Sequence, residues 1–166
     1  MQKIFILTKL ILRSKLIFKT PKKHNLILWD DTSFFDLKNT ISEFNYFILQ
    51  TRPYKITKIY ISYKIFRNIF KNLSKGNLLT AYLVSLIELI EPKVVITNID
   101  NSFKFSEVAK ILEKKAIFIA VQNAKRYELL EFDYLYNTKK VKHNILKKYY
   151  IPNLFSFGDH EKELYK

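Results

Sequence analysis

Cysteine is absent from this 166-residue chain, and glycine occurs only twice, at Gly76 and Gly158. Without a thiol there is no disulfide framework and no thiolate metal site, which fits a reducing compartment. Two isolated glycines exclude a Gly-rich phosphate loop, a Gly-x-Gly-x-x-Gly dinucleotide turn and a Gly-x-Ser-x-Gly nucleophile elbow. The three histidines, His24, His143 and His160, are scattered without ligand spacing, so neither a metal site nor a cofactor is expected. Only His160, which follows a strand end, keeps a conceivable place near a cleft. No apolar run approaches the roughly 20 residues of a spanning helix, and the N-terminus lacks the unbroken apolar core of a secretory signal. The expected location is cytoplasmic.

What is abundant is apolar surface and positive charge. At 48% hydrophobic the chain suits one domain with a real core. The net charge of +14 is blocked: residues 1–23, 44–87 and 134–158 hold seven, seven and five Lys or Arg and no acid. An A/T-rich coding bias explains part of this; the remainder points to an anionic partner such as phospholipid, lipid-linked phosphate or a nucleotide. Residues 1–23 form a basic amphipathic segment, read either as a helix or strand packed on the domain or as a peripheral contact with the inner face of the cytoplasmic membrane.

Residues 24–158 read as one α/β domain. Val94–Asn101 and Ala116–Asn123 are apolar runs ending in polar residues, and Ser106–Lys115 between them has helical spacing. This is a βαβ unit, so its strands lie parallel with their polar ends at one edge. Asn25–Trp29 and Tyr46–Gln50 read as further strands, Asp36–Phe44 as a short helix and residues 56–73 as a brief strand entering a helix. Gly76 suits a helix C-cap and Asn77 the next N-cap. Leu78–Ile90 reads as a buried helix, Leu154–Phe157 as a last strand and residues 125–148 as charged surface. The fold class is an open, mostly parallel sheet flanked by helices in three layers, with residues 159–166 a tail or the start of a hinge.

Ligands of open α/β sheets bind at the carboxyl edge. Three strands end there in polar pairs: Asp30-Asp31, Asp100-Asn101 and Gln122-Asn123. Carboxylates can orient sugar hydroxyls or act as a general base, and amides both donate and accept. Taken singly, each pair is also what a turn or helix cap would use.

The succession Pro92-Lys93-Val94-Val95-Ile96-Thr97, Ile99-Asp100-Asn101, Val121-Gln122-Asn123-Ala124-Lys125-Arg126 and Phe155-Ser156-Phe157-Gly158 resembles bacterial surface-carbohydrate biosynthesis proteins related to two-domain GT-B glycosyltransferases. The resemblance covers residues 22–166 and is best over 92–126. It departs at Ala124, where the family has Gly. It implies a Rossmann-like half-domain on the acceptor side. Asp100 would be the base, Asp30, Asp31, Asn101, Gln122 and Asn123 would line the cleft, and Lys125 or Arg126 would meet acceptor phosphate. It further implies a sugar or lipid-linked acceptor, with the nucleotide-sugar donor held by a second domain that is missing or separate, so transfer by this chain alone is not expected. The alternative is a non-catalytic basic module acting at an anionic membrane or on RNA, with Tyr60, Tyr63, Phe66 and Phe70 among its charges; nucleic acid is the less expected partner.

Overall fold

The computed structural model describes residues 12–52, 54–123, 150–156 and 158. Its centre is β2 (Leu26–Trp29), buried at every position because parallel neighbours and helices cover both of its faces. β3 (Tyr46–Leu49) pairs on one side and β5 (Val94–Thr97) on the other; β6 (Ile117–Val121) and β7 (Asn153–Phe155) continue the sheet in the order β3-β2-β5-β6-β7, parallel throughout. A separate two-stranded parallel sheet joins β1 (Lys15–Ile17) to β4 (Lys58–Tyr60). The described part of the basic N-terminal segment therefore contributes a strand packed on the domain.

Period-two alternation divides the core. Ile27, Trp29, Leu49, Val95 and Phe118 face α2 (Tyr63–Asn72), α3 (Leu78–Ile90) and α4 (Phe103–Leu112), while Leu26, Leu28, Val94 and Ile96 face α1 (Thr32–Ile41). The result is the expected three-layer, Rossmann-like arrangement of sheet and helices. Phe105 anchors the larger side, standing edge-on to Trp29 at 5.4 Å and to Phe118 at 5.6 Å, contacts worth about 0.5–1.5 kcal/mol each beyond burial. α3 is apolar around most of its girth because α2, α4 and the sheet surround it. Its few polar groups are paired: Asn72 Nδ2 donates to Ser85 Oγ (3.1 Å) and to Glu88 Oε2 (2.9 Å), and Lys115 reaches Glu88 Oε1 at 2.5 Å. Burial opposes ionisation of Glu88, yet the hydrogen bonds from Lys115 and Asn72 hold its carboxyl below the ordinary value. Among the described residues no helix is long and apolar enough to cross a membrane.

Helix starts follow local capping. Ser62, Asn77 and Ser102 accept from the backbone N–H groups of Ile65, Thr80 and Phe105, so α4 begins three residues before the Ser106 expected from apolar spacing. α1 also starts early, at Thr32 rather than Asp36, but without a side-chain cap. Gly76 is a C-cap as expected, closing the 3-10 turn Leu73–Lys75 with its N–H on the Leu73 carbonyl, but its φ of 168° is extended, not left-handed. Space explains the glycine, because a Cβ there would lie 2.9 Å from Thr80 Cγ2 and 3.0 Å from Glu107 Oε1. Thr80 cannot retreat easily, since its hydroxyl is held by Asn77, Lys104 and Glu107.

Gly76→Ala should therefore destabilise the fold by about 1–3 kcal/mol, the usual penalty of overpacking. Gly158→Ala, whose Cβ meets nothing within 4 Å, should be neutral within about 0.5 kcal/mol. Urea denaturation of the two variants side by side measures the difference, and equal midpoints would show that Gly76 is not sterically required.

Candidate functional site

The chain leaves β2 toward β3 on one side and later returns through β5 toward β6 and β7 on the other. The order reverses between β2 and β5, so the loops leaving their carboxyl ends part and leave a crevice. The two strand ends are tied beneath it. Thr97 Oγ1 donates to the Trp29 carbonyl at 3.3 Å, Ser33 Oγ donates to Asn98 Oδ1 at 2.8 Å and accepts from Asn98 N at 3.0 Å, and Asn98 Nδ2 donates to Asp36.

Above this floor lies Asp30, with a side chain 1% exposed and a left-handed φ of 76°. Asp tolerates that conformation better than most residues, though it remains an uncommon one associated with functional sites. Its backbone N–H still donates to the Leu49 carbonyl at 2.8 Å, and its carboxylate collects Arg52 Nε at 3.2 Å and Thr51 Oγ1 at 3.1 Å. Burial and the hydrogen bond shared with Asp31 raise its pKa against the opposing pull of Arg52, Thr32 and Thr51. Asp31 moves the other way: the bond to Asp30 lowers its pKa against desolvation, and Lys55, with Nζ 2.8 Å from Oδ1, lowers it further. The two adjacent carboxyls thus shift in opposite directions.

Asp31 occupies the N-cap position of α1, yet its side chain makes no capping hydrogen bond. An Asp there would stabilise the helix by about 1 kcal/mol if it capped. Instead its carboxylate, 27% exposed, turns to Lys55. The capping role that accounts for Ser62, Asn77 and Ser102 does not account for Asp31. Close by, Trp29 Nε1 and Thr32 Oγ1 are buried with no hydrogen-bond partner among the described residues.

All three pairs named from the sequence follow parallel strands at this one edge, but they differ in accessibility. Asp30, Asp100 and Gln122 are buried, Asp31 is half-buried, and Asn101 and Asn123 are exposed. Asp100, the base expected from sequence, is 1% exposed. Lys125, Arg126, His143 and His160 lie outside the described residues. Sequence reasoning missed Thr51, Arg52 and Lys55, although a signal existed: they leave β3 at the same edge as the other pairs. It also missed Ser33, Asp36 and Asn98, for which no pattern was available. Among the described residues no group of three or more His, Asp or Glu is disposed to hold a metal ion.

The raised pKa of Asp30 has a definite sign in stability. The folded chain holds a proton on Asp30 that the unfolded chain has released, so this contribution is present below the ordinary value of 3.8 and is lost as pH rises through the higher folded pKa. Asn is isosteric, does not titrate and tolerates positive φ. In thermal denaturation across this range, the stability of the parent relative to Asp30→Asn should fall as pH increases above 3.8; a difference independent of pH would mean that Asp30 titrates normally.

No family model matches the chain, and no curated protein or solved structure is significantly similar to it.

Proposed function

We propose that the chain is a glycosyltransferase-like domain of bacterial surface polysaccharide biosynthesis, the acceptor-side half, which binds the hydroxyl and phosphate groups of a sugar or lipid-linked acceptor over the β2/β5 crevice. One observation carries this reading: Asp31 stands at a helix start without capping it and presents an ionised carboxylate beside Lys55. A carboxylate accepts from sugar hydroxyls and an ammonium meets phosphate, each a charge-assisted bond. Asp30 and Arg52 hold that pair in place, the exposed Asn101 and Asn123 add amide contacts, and the buried Asp100 and Gln122 brace the loops. The proton of the acceptor hydroxyl passes to a carboxylate of this edge, either Asp31 at the surface or Asp100 beneath it. The nucleotide-sugar donor belongs to a second domain, as the resemblance of residues 92–126 implies.

Calorimetric titration with hexose 1-phosphates tests the site. The parent chain should bind them, and Asp31→Asn or Lys55→Ala should weaken binding by about tenfold to a hundredfold, the worth of one charged hydrogen bond. Asp100→Asn should have less effect if Asp31 is the contact group. Unchanged affinity in a folded Asp31→Asn, Lys55→Ala double variant would remove the pair from the site.

A second reading, attachment to an anionic membrane, rests on α2. Tyr63, Phe66 and Phe70 form an exposed aromatic stripe, and Lys64, Arg67 and Lys71 are exposed on the same helix. Interfacial helices combine these features. Vesicles containing phosphatidylglycerol should co-sediment with the chain more than pure phosphatidylcholine vesicles do. Replacing Arg67 and Lys71 by Glu should abolish the difference, and salt should weaken it. Equal sedimentation of parent and variant would exclude α2 as the contact.

A further inference from the structure

A cavity of about 860 Å³ separates the β1–β4 ribbon from the main body of the domain. Its walls are side chains of β3, β4, α2 and the start of α3, and they are overwhelmingly apolar: Ile48, Ile61, Ile69, Leu79 and Leu86 are representative. The ribbon is tied to the body through Tyr60, whose N–H donates to Tyr82 Oη at 3.1 Å and whose ring meets Phe47 at 5.7 Å. Folded interiors are close-packed, and an unfilled apolar space forfeits dispersion contacts along its whole lining. Water is a poor filler, because such walls offer it too few polar partners. Small-molecule sites fall in the range of about 300–1,000 Å³ and share this mostly apolar lining.

Three observations define what would fill it. Phe66 and Leu79 line the cavity while remaining half exposed, so its rim is itself apolar. Its polar groups are few, with Asp31 and Lys58 the charged ones among the described residues, and Asp31 also belongs to the crevice at the sheet edge. The segment supplying most of the walls, residues 44–87, carries seven basic residues and no acid, which favours a negative head group at the mouth.

We propose that this cavity binds the hydrocarbon chain of a long-chain anionic amphiphile, with the head group at the Lys58 side and within reach of the crevice through Asp31. The proposal rests on the cavity and not on the transferase reading, and a chain with no affinity for sugars could still satisfy it.

The test uses the full chain, cis-parinaric acid as a fluorescent probe and hexadecyl phosphate as competitor, both below their micellar concentrations. Saturable one-to-one binding is expected, with displacement by hexadecyl phosphate. Ile61→Trp, which fills the cavity, and Leu79→Trp, which narrows its rim at a position 48% exposed and so tolerant of substitution, should each weaken the probe by about tenfold, the effect of excluding about two methylenes from burial. Lys58→Glu should weaken hexadecyl phosphate and leave hexadecanol unchanged. Absence of saturable binding overturns the proposal, the result expected if another part of the same chain occupies the space. Undiminished binding by folded Leu79→Trp and Ile61→Trp overturns it as well. Loss of hexose 1-phosphate binding in Asp31→Asn with the probe still bound would separate this site from the crevice.

Discussion

The buried carboxyl of Asp30 is the constraint around which the carboxyl edge is arranged. An isolated charge at this depth would be expensive to desolvate, so the chain answers it from several directions. Arg52 and Thr51, arriving from β3, supply donors; the Thr32 N–H leans toward it at 3.5 Å; and the raised pKa shifts part of the burden onto a proton shared with Asp31. The loop after β3 is thereby bound to the end of β2. Arg52 in turn donates to Tyr54 Oη at 3.0 Å, and the same loop delivers Lys55 to Asp31.

The left-handed turn at Asp30 has a geometric consequence. It redirects the chain immediately after a fully buried strand, so that the next carboxylate leaves the capping position of α1 and faces the loop from β3. Local helix stability is given up for placement at the crevice, the kind of disagreement between local preference and observed structure that marks functional positions. Ser62, Asn77 and Ser102 provide the control within the same molecule, for each caps the helix it precedes.

The fold was legible wherever a residue's partner could be inferred from period alone. Val94–Thr97 and Ile117–Val121 pair in register as neighbours, and the unbroken apolar character of Leu26–Trp29 reflects burial on both faces. The convergence of the polar pairs also followed from parallel topology without knowledge of any contact. What stayed hidden depended on distant partners. The role of Arg52 requires knowing that β3 lies beside β2; the extended glycine at Gly76 requires knowing that Thr80 and Glu107 crowd it; and the helix start at Phe103 is set by the Ser102 cap, which apolar spacing does not see. The strand of residues 15–17 could not be told from a helix because Lys15, Leu16 and Ile17 fit either, and its pairing with β4 is a contact across more than forty positions.

Asp31 is where these threads meet. It is the only acidic residue on the apolar cavity among the described residues, a member of the carboxyl pair at the crevice and the partner of a lysine from the basic stretch. A polar ligand group at the crevice and a hydrocarbon chain in the cavity would therefore share a boundary at this one side chain. Part of the cavity's wall comes from β3 and β4, the elements on either side of the loop that carries Arg52 and Lys55. An amphiphile spanning both regions would bind with the two contributions joined by a covalent link, whereas separate sugar and lipid ligands would each meet only half of the surface.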